Sequence, residues 1–395
     1  MARKVTIFTK LKWRLEWLIY HLYEASIRIL PIGVATGLGH ALGTLSWYVA
    51  PKRRQMVERS VRIAFGRDLN AEQRQQMAKE VIQRSGSNLL ASVKTAALSD
   101  EGVRDCVEIE GLEHYQAAKA KDKGVIIVLA HTGNWEVMAQ LGALLDKEGP
   151  LAAFYRPLDN PYIDAIMAKR RANRGAELFA KFSDISAITA FLRKKGTLGV
   201  LCDQRAGNHG HLVPFFNRMT SFTPLPILLA RRTKAAIVSA SVETSGVGRW
   251  KIIVDPEIPM TPAANAADIA RRIEAMVRRS PADFFWLQER WRVSRSAPFR
   301  IKGKPGLLQP VHHPAQELFP REVVIIGEFE VPEEQDEIKI HHLEPAPLNE
   351  IQRAIDELDL ASPAGIEFVV GPRELVEKLD VAGRRYDLSL KQIGS

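Results

Sequence analysis

The chain opens with two apolar patterns that differ in kind. Leu11, Leu15, Leu18, Leu22, Ala25 and Ile29 recur at three- and four-residue steps, which draws a single apolar stripe along a helix. Glu16, His21, Glu24 and Arg28 interrupt that stripe, while Trp13, Trp17, Tyr20 and Tyr23 supply the amphipathic rings favoured at a membrane–water boundary. The second run, from Ile29 to Ala50, has His40 as its one side chain titrating near neutral pH and is long enough for ~30 Å of hydrocarbon. Pro31 and the glycines Gly33, Gly37, Gly39 and Gly43 make it a poor isolated span. "GLGHALG", 37–43, follows no strand, so it predicts close helix packing through Gly39 and Gly43 rather than a dinucleotide loop. Charges break the first run and no small-residue cleavage site follows, so the arm does not read as a signal peptide. The expectation is a pair of helices lying in or dipping into a bilayer face, with Lys52, Arg53 and Arg54 on lipid phosphates. A helical hairpin buried against the body fits the same pattern.

Beyond the arm, a helical pattern fills Ala71 to Leu98, with small residues packed in "SGSNLLASV", 85–93. The chain then alternates. Strands are predicted at Gly124–Ala130, Leu151–Tyr155, Leu198–Cys202, Ala236–Val242 and Trp250–Val254. Helices are predicted at Trp135–Leu145, Pro161–Asn173, Ser183–Lys195, Pro226–Thr233 and Ala266–Arg279. This alternation predicts an α/β body built on a mixed, mostly parallel sheet flanked by helices. Ligands in such sheets bind outside the carboxyl ends of the strands, where His131 and Asp203 stand. After a linker-like "GKPGLLQPVHHP", the tail reads strand, strand, helix, strand, helix: a small α/β appendage. The organisation expected is an arm over 1–62, a body over 63–300 and the appendage over 301–395.

Charge changes this picture unevenly. The 395 residues carry a net +9, with +8 in residues 1–62 and −8 in residues 301–395. A basic body suits an anionic membrane surface or acidic substrates and carriers. Nucleic acid is disfavoured, because aromatics are not clustered among the basic residues and no reading module is recognisable. Cys106 and Cys202 form no CxxC and no disulfide framework, which fits a reducing compartment.

The candidate chemistry sits at "GVIIVLAHTGNWE", 124–136, where a buried strand ends in His131 and a helix begins near Trp135. A turn at Gly133 and Asn134 can fold Glu136 back towards the imidazole, and a carboxylate on one ring nitrogen fixes the tautomer and raises the basicity of the other. Amides at the helix start can hold an oxyanion or phosphate. A histidine capping its strand end and a glutamate stabilising a helix N-terminus fit the same spacing. The chain has no GxSxG, Walker A or HExxH, and "HGH", 209–211, lacks a partner at metal-site spacing, so no metal ligand is assigned.

"HTGNWE" after an apolar strand resembles the HX4(D/E) signature of glycerolipid-type acyltransferases, in the form used by the lipid A biosynthesis lauroyl/myristoyl acyltransferases. "FYRPLDNPYID", 154–164, the basic "KRRANRG", 169–175, "GTLGVLCDQRAG", 196–207, "VPFF", 213–216, and "ADFFWLQERWR", 282–292, resemble further blocks of that family in the same order. The likeness covers roughly residues 10–300. Two places depart from it: "TSFTPLP" follows VPFF where small residues are usual, and Gln288 stands where a histidine is common.

The resemblance implies an O-acyltransferase with His131 as general base and Glu136 orienting it. The hydroxyl acceptor would be a glycolipid such as a lipid A precursor, and the donor a thioester of acyl-carrier protein or coenzyme A. No cofactor is implied, since a thioester is already activated. Arg156 is the candidate for a phosphate or carbonyl contact, Arg170, Arg171 and Arg174 for an anionic head group, and Asn134 for substrate at the turn. Asp203 and Gln204 would order Arg156 or the acceptor. The implied location is the cytoplasmic face of the inner membrane. A phosphatidylinositol mannoside-like acceptor, or a catalytically silent membrane scaffold, are the alternatives. All the family's blocks end by Arg292, so the tail is expected to be dispensable for chemistry.

Overall fold

The computed structural model describes residues 6–140, 149–181, 185–206, 210–216, 218–288, 290–291, 299–301, 308–310, 321–327, 338–362, 365–376 and 378–379. Two compact units interleave along the chain. The first comprises Met1–Arg54, Gln76–Asp203 and Pro224–Phe285; the second comprises Gln55–Gln75, Gln204–Thr223 and Trp286–Ser395.

The arm forms helices α1 (Ile7–Ile29) and α2 (Ile32–Val49), broken at Pro31, whose missing N–H and fixed φ suit it to a helix start rather than an interior. No helix among the described residues is long and apolar enough to cross a membrane. Helix α1 leaves Ile7, Phe8, Leu11, Leu15, Leu18, Ile19 and Leu22 exposed, while Glu24 and Ile27 are buried. After α3 (Pro51–Phe65) comes α4 (Ala71–Thr95), whose small residues receive α2. A Cβ on Gly39 would lie 2.4 Å from the Gly86 carbonyl oxygen, and one on Gly43 would lie 2.6 Å from that of Ile82. The glycines predicted to pack closely are therefore where two helix backbones touch.

The first unit is built on a seven-stranded sheet of order β1-β9-β8-β2-β5-β3-β4. Its strands are β1 (Val107–Glu110), β2 (Val125–Leu129), β3 (Leu151–Tyr155), β4 (Glu177–Ala180), β5 (Thr197–Leu201), β8 (Ala236–Gly246) and β9 (Arg249–Asp255). All neighbours pair in parallel except β8 with β9. The mixed, mostly parallel sheet flanked by helices is thus as the alternation predicted. Strand β2 is buried at every residue, which is why it reads as an unbroken apolar run rather than an alternating one. Two short edge strands, β1 and β4, carry too few apolar residues to stand out from the sequence.

Helices α5 (Asp100–Cys106), α6 (Leu112–Lys119), α7 (Pro161–Ala172), α8 (Ile185–Arg193), α9 (Leu225–Thr233) and α10 (Ala266–Arg279) belong to the same unit. Asn160 caps α7, accepting from Tyr162 N and Ile163 N, with Pro161 at the first helical position.

The second unit contains the hairpin β6 (His211–Phe215) with β7 (Arg218–Phe222), the short pair β10 (Phe299–Ile301) with β11 (Leu308–Pro310), and a parallel sheet of order β13-β12-β14. Its strands are β12 (Arg321–Ile326), β13 (Ile338–Leu343) and β14 (Ile366–Val370); helix α11 (Leu348–Ala361) lies between β13 and β14 in the chain, and α12 (Arg373–Val376) follows. The acidic α11 is gripped by three arginines. Arg62 donates to Asp356, Arg67 to the Leu360 carbonyl, and Arg218 to both the carboxylate (2.5 Å) and carbonyl (2.6 Å) of Asp359. The Arg218–Asp359 pair is buried, with 5% and 2% of its side chains exposed. Helix α11 of the appendage is therefore tied by side chains to α3 and to the β6–β7 hairpin.

Candidate functional site

Strands β2 and β5 are parallel neighbours in register, Leu129 beside Leu201, so the residues just past their carboxyl ends are brought side by side. His131 Nδ1 lies 2.7 Å from Asp203 Oδ1. The carboxylate accepts, so Nδ1 carries the proton and Nε2 is the basic nitrogen. Asp203 is fully buried and the His131 side chain is 14% exposed, which leaves the imidazole reachable from one side. Trp135 meets its ring edge-on at 5.0 Å, and Phe285 lies 6.4 Å away.

The main chain around His131 is fixed on several sides. Thr132 forms an antiparallel bridge with Phe284, flanked by Phe285 N donating to His131 O (2.8 Å) and Gly133 N donating to Asp283 O (2.8 Å). Thr132 Oγ1 accepts from Val242 N. Gly133 has φ +52°, and a Cβ there would lie 2.5 Å from the Val242 carbonyl oxygen, so both conformation and space demand glycine.

Glu136 does not hold the imidazole, contrary to the expectation from the motif spacing. It lies in the first turn of a 3-10 helix, Trp135–Gln140, and its carboxylate takes Arg171 on both oxygens, Nε at 3.0 Å and Nη2 at 2.5 Å. The carboxylate on the imidazole is that of Asp203, which the resemblance leads one to expect on Arg156 or the acceptor. Burial alone would pull the His131 imidazole down. The charge and hydrogen bond of Asp203, with Glu136 behind them, outweigh it and hold the imidazole above its ordinary 6.5. Burial likewise pushes Glu136 up, but the hydrogen bonds and charge of Arg171, with Arg170 and His131, keep it below its ordinary 4.5.

The other sequence candidates are scattered. Asn134 is buried: Nδ2 donates to Thr95 Oγ1, and Oδ1 has no partner among the described residues. Arg170 is buried against Tyr20 Oη and the Ser92 carbonyl, which ties α7 to α1 and α4. Arg174 donates to Asp100, the Leu98 carbonyl and Gln140. Arg170 and Arg171 of α7 and Arg174 just beyond it thus all have protein partners. Arg156 is exposed at the end of β3, and Gln204 is exposed. Arg292 lies outside the described residues. Among the described residues no group of three or more His, Cys, Asp or Glu side chains could hold a metal ion.

The arrangement at His131 can take a proton from a hydroxyl at Nε2 while the charge formed is stabilised at Nδ1. Residues 2–293 match the family model described as bacterial lipid A biosynthesis acyltransferase. The chain is similar to the lipid A biosynthesis palmitoleoyltransferase of Escherichia coli (strain K12), 23% identical over 269 residues, covering 67% of this chain and 86% of that protein. It is similar to the lauroyltransferase of the same organism at 24% over 270 residues, covering 67% and 87%. A phosphatidylinositol mannoside acyltransferase of Mycobacterium tuberculosis (strain ATCC 25618 / H37Rv) is 25% identical over 190 residues, covering 46% of this chain and 59% of that protein.

Proposed function

The chain belongs to the bacterial lipid A biosynthesis acyltransferase family, and from that premise we propose that it moves a fatty acyl chain from a thioester to a hydroxyl of a lipid A precursor. His131 Nε2 removes the hydroxyl proton, and Asp203 holds the tautomer and stabilises the imidazolium. The alkoxide adds to the thioester carbonyl. Collapse of the tetrahedral intermediate forms the ester, breaks the carbon–sulfur bond, and the departing thiolate takes the proton back from Nε2. Acyl-carrier protein or coenzyme A is the carrier. Glu136, kept anionic by Arg171, adds negative potential behind the imidazole without touching it.

The observation that carries this reading is the 2.7 Å contact of His131 with a fully buried Asp203 at adjacent strand ends. A silent scaffold would have no use for a buried carboxylate aimed at a partly open imidazole. Work at a membrane surface, the cytoplasmic face of the inner membrane, is supported by the exposed apolar row of α1 beside Lys10, Lys12 and Arg14. The test is mass spectrometry of lipids from cells with wild-type protein, with the His131→Ala variant and with neither. The reading predicts one acyl chain more on a glycolipid with wild type alone. A lipid profile indifferent to the protein would end it. The mycobacterial relatives favour a second acceptor, a phosphatidylinositol mannoside, which the same spectra distinguish by mass.

A further inference from the structure

Directly behind the His131 loop lies a carboxylate that the mechanism above does not use. Asp283 has a fully buried side chain and collects four donors. Thr244 N reaches Oδ2 at 2.8 Å, Thr244 Oγ1 reaches Oδ1 at 2.6 Å, Ser280 Oγ reaches Oδ2 at 2.6 Å and Arg84 Nη1 reaches Oδ2 at 3.0 Å. These donors come from β8, from the residue after α10, and from α4. One short segment is thereby tied to three elements.

That same segment carries the two main-chain hydrogen bonds that grip the loop, from Gly133 N to Asp283 O and from Phe285 N to His131 O. Its Phe285 ring also packs on Trp135 at 5.6 Å, completing the aromatic wall beside the imidazole. Thr244 lies two residues beyond Val242 on β8, and Val242 N is bonded to Thr132 Oγ1. The His131 loop is therefore clamped between two strips of backbone, and Asp283 is the group that joins one strip to the other.

Resting on the acyltransferase reading, we propose that Asp283 is a positioning residue for that reaction: it fixes residues 283–285 against β8 so that His131 keeps its register with Asp203. A carboxylate is needed because a single side chain must accept from four donors, which an amide with one acceptor oxygen cannot do. An error of about 1 Å in a catalytic group costs up to about 10²-fold in rate, so the clamp acts on turnover.

The charged groups facing His131 are Asp203, Glu136 and Arg171, and none of them is altered by changing Asp283. The test is Asp283→Asn in the full-length protein. Arg84 also pairs with Glu80 at 2.6 Å, so the variant does not strand its charge. With lauroyl-CoA as donor and a lipid A precursor as acceptor, kcat should fall at least about 10-fold with KM within about twofold. The His131 ring signal, followed by NMR across pH without substrate, should titrate at lower pH as the Asp203 contact loosens. Should the variant fail to fold, Thr244→Val and Arg84→Met each remove one donor and should shift the titration the same way by less. A folded Asp283→Asn protein with unchanged kcat and unchanged titration overturns the proposal, whatever its melting temperature. So do both milder variants with wild-type titration. Wild-type protein without acyl transfer would instead overturn the reaction assignment, while the ring titration still judges Asp283.

Discussion

Arg171 grips both carboxylate oxygens of Glu136, while the imidazole five residues before Glu136 is held by Asp203, 72 positions further along the chain. The histidine and the glutamate of one short motif thus answer to different partners. Substituting each partner should produce a different phenotype.

Asp203→Asn should lower kcat/KM by about 10²–10⁴, the range that general-base catalysis is worth, with little change in donor binding. Glu136→Gln should cost less in rate and more in stability, about 1–3 kcal/mol, because it leaves the Arg171 guanidinium partly buried beside a neutral amide. Steady-state kinetics and thermal unfolding of the two purified variants check this. A Glu136→Gln protein slower than Asp203→Asn would restore the glutamate as orienter.

The pH dependence follows from the raised imidazole. A base must be unprotonated, so kcat/KM should rise with pH through a midpoint above 6.5, and Asp203→Asn should move that limb downward. The same shift acts on stability with the opposite slope. Its contribution is fully present below pH 6.5 and is lost as pH rises through the folded-state value. A pH–rate profile with a limb below 6.5 in wild type would contradict it.

The appendage should prove structurally required. Removing one partner of a buried ion pair typically costs about 3–5 kcal/mol, so Asp359→Ala should lower the melting temperature strongly by leaving Arg218 uncompensated. Deleting residues 305–395 should have at least that effect on stability, which is separate from the expectation that the tail is dispensable for chemistry. A truncated protein melting at the wild-type temperature would show that Arg218 finds another partner.

Membrane attachment should depend on apolar area more than on charge. Replacing Leu11, Leu15, Leu18 and Leu22 by Gln should abolish co-flotation with anionic vesicles, whereas raising salt should weaken it only in part. Flotation of the quadruple variant at wild-type levels would mean another surface binds the lipid.

Gly39→Leu should be among the most damaging single changes in the arm. Its side chain would enter the α4 backbone at Gly86, and the two helices would have to separate. Thermal unfolding against Gly37→Leu, where nothing lies within 4 Å, isolates the effect.

Local pattern was enough to read the arm's two helices, the strands β2, β3, β5, β8 and β9, the helix Ala266–Arg279 and the α/β class of the sheet. Each of these is written in spacing over a few residues: continuous apolar runs for strands covered on both faces, three-and-four steps for helices, proline and glycine at their ends. His131 was legible for the same reason, as a titratable group where a buried run stops. Its partner was not. Glu136 was close in sequence, but the 3-10 turn carries it to Arg171, and only the parallel register of β2 with β5 sets Asp203 beside the ring. Nor did the sequence disclose that Arg170, Arg171 and Arg174 face inward, since a basic helix looks the same whether its charges meet water or buried carbonyls. The packing of α11 by Arg62, Arg67 and Arg218 was hidden likewise, because polar contacts across 140 or more residues leave no periodicity behind. Spacing reports what a segment can bury; which distant charge meets it is decided when the strands pair.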